Sequence, residues 1–149
     1  PDNKTRVRVI GNPRAFDPDL QDKIRELEEY SSQFDELHFQ IALNYGSRDE
    51  ITRAVRRMAE DVRKGALDPE SITEDTISGY LDTRGLPDPD LLIRTSGEER
   101  LSNFLMWQLA YTEFYFTDVA WPDFDKAEFA KAIEKYNKRD RRYGGVKED

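Results

Sequence analysis

Short runs of strand-forming residues alternate with segments of helical periodicity, and this alternation constrains the fold more than any other feature of the sequence. The predicted strands cover residues 5–10, 37–43, 91–93 and 114–117. Apolar residues recur at helical spacing in stretches that begin near Asp17, Asp49, Asp75, Glu98 and Asp125. Because a helix between two strands lets them run parallel, the pattern predicts an α/β fold with a largely parallel sheet flanked by helices.

Composition excludes several classes of function. The 149 residues carry 31 Asp and Glu against 23 Lys and Arg, a net charge of −8, which argues against a protein that coats nucleic acid. The absence of cysteine excludes disulfides, thiolate zinc sites and thiol nucleophiles. The sole histidine, His38, cannot form a metal site of several histidines, and because it alternates with Leu37 and Phe39 in a predicted strand, a structural role is expected for it. The length suits one domain, and no apolar run approaches membrane-spanning length.

The stretch from Asp90 to Asp118 carries the strongest indication of a binding site. A short apolar strand ends at Arg94 and is followed by the loop-forming residues Thr95, Ser96 and Gly97. A helix is predicted next, starting at the carboxylates of Glu98 and Glu99, because apolar residues follow at the spacing of one helix face: Leu101, Phe104, Leu105 and Leu109. A strand, a loop with glycine and a helix N-terminus together favour the binding of an anion.

Two arginines and a serine lie around this predicted junction. Arg94 and Arg100 each present a planar fork of donors suited to phosphate oxygens, and Ser102 adds a hydroxyl. The alternative is that both arginines form surface ion pairs with Asp88, Asp90, Glu98 or Glu99. Because ligands of parallel α/β sheets bind beyond the carboxyl ends of strands, we favour the anion site.

A second strand-loop-helix junction, Asn44-Tyr45-Gly46-Ser47-Arg48, precedes the helix that begins near Asp49. One glycine and one serine are what many helix starts show, so a plain N-cap is the preferred interpretation.

Several ordered motifs in the second half of the chain closely resemble those of the cis-prenyltransferases, and among these the bacterial undecaprenyl diphosphate synthases. They are RTSGEERLSNF from Arg94 to Phe104, then Trp107-Gln108, EFYFTD from Glu113 to Asp118, and WPDF from Trp121 to Phe124. The resemblance extends to Asn44-Tyr45-Gly46 and to RRYGG, which begins at Arg141. It covers nearly the whole chain.

The resemblance implies repeated condensation of isopentenyl diphosphate onto an allylic diphosphate, with Mg²⁺ and formation of cis double bonds. In this family, the positions of Arg94, Arg100 and Ser102 hold the diphosphate of isopentenyl diphosphate, and the position of Glu113 is implicated in binding Mg²⁺. Arg142 and Gly144 match an Arg-x-Gly motif that reaches into the partner's site in the family's dimers. Some members carry histidine where Glu99 stands.

Further expectations about assembly and location follow from the same resemblance. The protein is expected to be a cytoplasmic homodimer that contacts membranes peripherally through its lipid product, a carrier for cell wall synthesis. The chain is expected to be the C-terminal part of a single cis-prenyltransferase catalytic domain. It lacks the family's opening strand and its Asp-Gly-Asn-Gly-Arg-type loop, so it is predicted to be inactive alone. Two alternatives stay open: a non-catalytic subunit of a heteromeric enzyme, and a phosphate-binding regulatory domain.

One geometric question concerns Glu113. If a full right-handed crossover joins the last two strands, Glu113 begins its strand at the end of the sheet opposite Arg94. Either the connecting helix is shorter than predicted, or the strand does not start at Glu113.

Overall fold

The fold was analysed in a computed structural model, which describes residues 4–139. The residues group into two compact units, the first comprising the chain up to Leu86 together with Asn103–Met106 and the second comprising Pro87–Ser102 and the chain from Trp107 onward. In place of one sheet, the described residues form two separate two-stranded sheets. Strands pair in parallel in both and helices accompany them, so the predicted α/β class is confirmed.

The first unit begins with a strand, a helix and a second strand. Strand β1 (Thr5–Gly11) leads through α1 (Pro18–Ser31) into β2 (Leu37–Leu43). The two strands pair in parallel along their whole length, with Thr5 opposite Leu37 and Gly11 opposite Leu43. A parallel pair needs such a crossover, and Pro18 stands at the first position of its helix, where proline is favoured.

Side chains cover the outer edge of β1. Its outward N–H groups donate to side-chain oxygens, Val7 to Ser31 at 3.1 Å, Val9 to Glu28 at 2.7 Å and Gly11 to Asp82 at 3.1 Å. An uncovered row of N–H groups would offer a template for pairing with another strand. These hydrogen bonds satisfy the edge without a third strand.

Helices α2 (Ser47–Arg63) and α3 (Glu74–Tyr80) complete the first unit. Ala54 and Met58 are buried in α2, as helical periodicity requires. Val55 falls at the same helical spacing but is 53% exposed, and Leu20 and Leu27 of α1 are each 42% exposed. The apolar periodicity therefore predicted the helices correctly and overestimated how much of each apolar face is covered.

An ion pair joins α2 to the segment after α3. Both Nη atoms of Arg53 donate to the carboxylate of Asp82, at 2.9 and 2.7 Å, and Asp82 also accepts from Gly11 N at 3.1 Å. The Asp82 side chain is 11% exposed. Burial acts to raise the pKa of Asp82, but the hydrogen bonds from Arg53 and Gly11 outweigh it and hold the pKa below the ordinary value of 3.8.

We predict that Asp82→Asn lowers the free energy of unfolding by about 2 kcal/mol at neutral pH, because Arg53 loses its principal partner. A carboxylate with a depressed folded-state pKa stabilises the fold above its ordinary pKa, and this stabilisation is lost as the pH falls through the folded-state value. The difference between wild type and variant should therefore shrink as the pH falls below 3.8. Urea unfolding followed by circular dichroism measures the free energy of unfolding of both proteins at each pH.

Asp17→Asn is the matched control, since Asp17 stands at an exposed helix N-cap and makes no capping hydrogen bond through its side chain. A gap between wild type and Asp82→Asn that stayed constant from about pH 6 to about pH 3 would show that the carboxylate charge does not contribute.

The second unit contains the other strand pair. Strand β3 (Leu91–Arg94) runs parallel to β4 (Glu113–Phe116), with Leu91 opposite Glu113 and Arg94 opposite Phe116. Helix α4 (Lys126–Asn137) follows, beginning near Asp125 as predicted, and its N-cap Asp125 accepts from the N–H groups of Ala127 and Glu128. None of the helices in the part of the chain that the structure describes has the length and apolarity needed to span a membrane.

The helix predicted to begin at Glu98 does not form. Residues 98–112 consist of turns and irregular backbone, and Ser102, Asn103 and Leu105 have φ angles of 50°, 62° and 44°. Left-handed residues in succession cannot continue a right-handed helix. Leu105 and Leu109 are nevertheless buried. The spacing of the apolar residues therefore predicted correctly that Leu105 and Leu109 are buried, but the helix that it predicted was wrong.

Candidate functional site

The candidate site lies in the second unit, where the loops after β3 and β4 join. Thr117 N donates to Arg94 O at 3.0 Å, continuing the pairing one residue beyond the strands. The next loop residues then pair with the segment after β4, since Gly97 N donates to Thr117 O at 3.0 Å and Ser96 N donates to Val119 O at 2.9 Å. These bonds fix the first part of the loop to the carboxyl end of the strand pair.

The turn at Ser96 and Gly97 depends on left-handed backbone. Their φ angles are 65° and 67°. A Cβ atom at position 97 would lie 3.1 Å from Asp118 Oδ1, a tight contact that would require the Asp118 side chain to shift. Glycine thus provides both the backbone conformation and the space at this turn.

Arg94 and Ser102 meet across the loop. Nη2 of Arg94 donates to Ser102 Oγ at 3.4 Å, and Arg94 is half-buried whereas Ser102 is exposed. Across residues 4–139, Arg94 forms no ion pair. A half-buried guanidinium without a carboxylate partner, beside a hydroxyl group, has unused donors that an oxyanion can accept.

Arg100 behaves differently. Its Nη2 lies 2.5 Å from Glu98 Oε2, in an ion pair whose side chains are 69% and 40% exposed. The surface-pairing alternative left open by the sequence therefore holds for Arg100 and not for Arg94. An ion pair this exposed contributes little free energy, so Arg100 can exchange Glu98 for a ligand at small cost.

The donors of this site belong to side chains and not to a helix N-terminus. Since no helix begins at Glu98, the N–H groups of a first helical turn are not available here, and those of Ser96 and Gly97 are bound to Val119 and Thr117. The anion-binding prediction is retained, but its physical basis is corrected. The guanidinium groups and the Ser102 hydroxyl carry it.

Glu113 lies at the other end of the strand pair. It is the first residue of β4, while Arg94 is the last residue of β3, and the register separates them by three residues, about 10 Å along the strands. The carboxylate of Glu113 faces Arg139, with Oε1 3.7 Å from Nε. The strand does start at Glu113, so within this chain the structure does not bring Glu113 to Arg94.

Glu113 does not form a magnesium site by itself. Among residues 4–139 there is no group of three or more His, Cys, Asp and Glu side chains that could hold a metal ion. Mg²⁺ requires near-octahedral oxygen coordination, and a single carboxylate beside a guanidinium does not provide it. A role for Glu113 in binding Mg²⁺ stays a prediction, and it requires ligands beyond these side chains, such as phosphate oxygens and water.

The remaining predicted residues contribute less to the described geometry. Glu99 is exposed. Arg142 and Gly144 lie outside the described residues, so the role predicted for the Arg-x-Gly motif stays a prediction.

Asn103 has a structural role that the sequence did not reveal to us. In the first unit it caps α2, since its backbone oxygen accepts from Ser47 N at 2.7 Å and its Oδ1 accepts from Arg48 N at 2.9 Å. Gly46 leaves room for it, because a Cβ atom there would lie 2.8 Å from Asn103 Nδ2. The junction before α2 is a capped helix start, as preferred from the sequence. Asparagine, which tolerates left-handed backbone, was the available signal.

Comparison with known proteins adds relatives over almost the whole chain. Residues 1–144 match the model of the prenyltransferase family described as undecaprenyl diphosphate synthase. The chain is 53% identical to an isoprenyl transferase of Agrobacterium fabrum and 55% identical to one of Geobacillus kaustophilus, over 96% and 95% of its length. It spans 58% and 55% of the lengths of those two proteins, little more than half.

A solved structure shows the same fold. The crystal structure of lavandulyl diphosphate synthase from Lavandula x intermedia, in complex with dimethylallyl diphosphate, superposes with a TM-score of 0.90 at 40% sequence identity. The match covers 97% of the present chain and 62% of that one.

Proposed function

Since this chain belongs to the undecaprenyl diphosphate synthase family of prenyltransferases, we propose that it is part of an enzyme that condenses isopentenyl diphosphate onto an allylic diphosphate. The product would be a polyprenyl diphosphate with cis double bonds. Relatives named isoprenyl transferase support the reaction class.

The observation that carries the proposal concerns the contacts of Arg94. It ends β3, donates to Ser102 Oγ at 3.4 Å and has no carboxylate partner in the described part of the chain. Although the chain has a net charge of −8, no carboxylate of the described residues neutralises this half-buried guanidinium. A diphosphate would provide the missing counter-charge and accept the unused donors.

Each residue has a separate task in this proposal. Arg94 and Ser102 hold the diphosphate of isopentenyl diphosphate, and Arg100 joins them when it leaves Glu98. By fixing the diphosphate, they orient the alkene of the same molecule toward the carbon at which the allylic C–O bond breaks. The leaving diphosphate gains negative charge in that step, which positioned cations stabilise, so no covalent nucleophile is needed.

Magnesium, dimerisation and location remain part of the proposal through the family resemblance. Mg²⁺ would neutralise charge on diphosphate oxygens, and Glu113 would supply one of its carboxylate ligands. We also propose a cytoplasmic homodimer in which Arg142 and Gly144 approach the partner's site.

Incorporation of radiolabelled isopentenyl diphosphate by the complete gene product, with farnesyl diphosphate and Mg²⁺, tests the reaction. Extractable polyprenyl diphosphate is expected, and Arg94→Gln should reduce its formation by about 10-fold or more. Binding of isopentenyl diphosphate without turnover by the complete gene product would contradict the proposed enzyme and would instead indicate a non-catalytic subunit.

A further inference from the structure

A polar cavity of about 400 Å³ lies along the outer edge of β1 in the first unit. Five charged side chains line it: Arg6, Arg8, Arg84, Glu28 and Asp82. The residues proposed to bind isopentenyl diphosphate are not among them. No role in the proposed reaction accounts for three guanidinium groups here.

The two carboxylates of the cavity are already engaged. Asp82 is neutralised by Arg53, which donates to both of its oxygens. Glu28 accepts from Val9 N at 2.7 Å through Oε1. Each carboxylate therefore also accepts a hydrogen bond from the edge of β1, and Asp82 shares its charge between Arg53 and the arginines of the cavity.

The arginines themselves have few acidic partners. Arg8 Nη1 donates to the backbone oxygen of Arg84 at 2.9 Å, a contact between two cationic residues. Neither Arg8 nor Arg84 forms an ion pair with any residue in the described chain, and Arg6 lies 3.9 Å from the largely exposed Asp35. The pKa of Arg8 is lowered first by burial and then by the positive charges of Arg84 and Arg6. Glu28 and Asp82 act to raise it, so these carboxylates offset the repulsion between the arginines only in part.

We propose that this cavity binds a small anion that carries a phosphate group, held between the guanidinium groups of Arg8 and Arg84. Forked N–H donors match the oxygens of phosphate, and an anion between like charges removes their repulsion. The cavity is larger than a phosphate ion, which leaves room for an organic substituent. An extended polyanion such as nucleic acid does not suit so acidic a chain.

The proposal goes beyond the proposed prenyl transfer and can be tested separately. Inorganic phosphate and glycerol 3-phosphate are titrated at constant ionic strength into the ¹⁵N-labelled chain, and the Nε–H resonances of Arg8 and Arg84 are followed. Saturable shifts are expected for both probes. Tighter binding of glycerol 3-phosphate would identify a phosphate ester as the ligand, and equal binding would identify free phosphate.

Arg84→Gln should weaken phosphate binding by about fivefold or more, measured on the Arg8 resonance. Arg84 is exposed and its backbone oxygen is retained, so the fold should persist, which circular dichroism verifies. Arg56→Gln, which removes an exposed arginine of α2, is the matched control and should change nothing. Linear, non-saturating shifts, or equal affinity in wild type and Arg84→Gln, would overturn the proposal.

Discussion

Replacing Arg94 with alanine is expected to lower the affinity of the chain for isopentenyl diphosphate by about 10- to 100-fold. Arg94 is half-buried, ends β3 and has no ion-pair partner among residues 4–139, so its donors are available to the diphosphate. A hydrogen bond between charged groups contributes about 1.5–3 kcal/mol, and each 1.4 kcal/mol changes affinity about tenfold. An NMR titration that follows the amides of Thr95 and Ser102 measures binding at this loop alone.

Three further variants distinguish the site from general electrostatic attraction. Arg100→Ala should weaken binding less than Arg94→Ala, because Arg100 is more exposed and must first leave Glu98. Glu98→Gln should strengthen binding, since it frees Arg100 without moving it. Arg56→Ala removes an equal charge elsewhere and should have no effect. If Arg56→Ala and Arg94→Ala weakened binding equally, the diphosphate would be responding to net charge alone.

Gly11→Ala is expected to destabilise the chain by more than about 3 kcal/mol. Gly11 ends β1 with a φ of 115°, which L-residues rarely adopt. A Cβ atom there would lie 2.1 Å from Leu43 O, a backbone atom of the paired strand that cannot move aside without breaking the register. Chemical unfolding followed by circular dichroism should show a lower midpoint or no cooperative transition.

Gly85→Ala separates the two causes of this loss. Gly85 also has a positive φ, 83°, but nothing lies within 4 Å of the position that its Cβ would take. Gly85→Ala should therefore destabilise the chain by only about 1 kcal/mol, the cost of placing an L-residue in left-handed backbone. Equal destabilisation by the two substitutions would show that the contact with Leu43 does not matter.

The strands and most helices could be predicted from the sequence because their signals are local. Periodicity, Pro18 at the start of α1 and Asp125 before α4 each act within a few residues. The irregular segment after Glu98 depends instead on a contact remote in sequence. Asn103 leaves the helical conformation and caps α2 more than fifty residues away, at Ser47 and Arg48. Within residues 98–109, asparagine indicates only that left-handed backbone is tolerated at position 103, and nothing there indicates the contact with α2.

The candidate site could also be predicted only in part from the sequence. The position of Arg94 at a strand end pointed to the carboxyl edge of the strand pair, and the structure places it there beside Ser102. The partner of Arg100 could not be chosen from the sequence, because several acidic residues lie within reach along the chain. The separation of Glu113 from Arg94 was expected if the last two strands run parallel, and their parallel pairing places the two residues at opposite ends.

The most direct test of the account is a crystal structure of the chain with isopentenyl diphosphate bound. It should show diphosphate oxygens within hydrogen-bond distance of the Arg94 guanidinium and of Ser102 Oγ, with Arg100 turned from Glu98 toward the ligand. Diphosphate bound elsewhere, with Arg94 still directed to Ser102 and Arg100 still paired with Glu98, would contradict the assignment of this loop as the binding site.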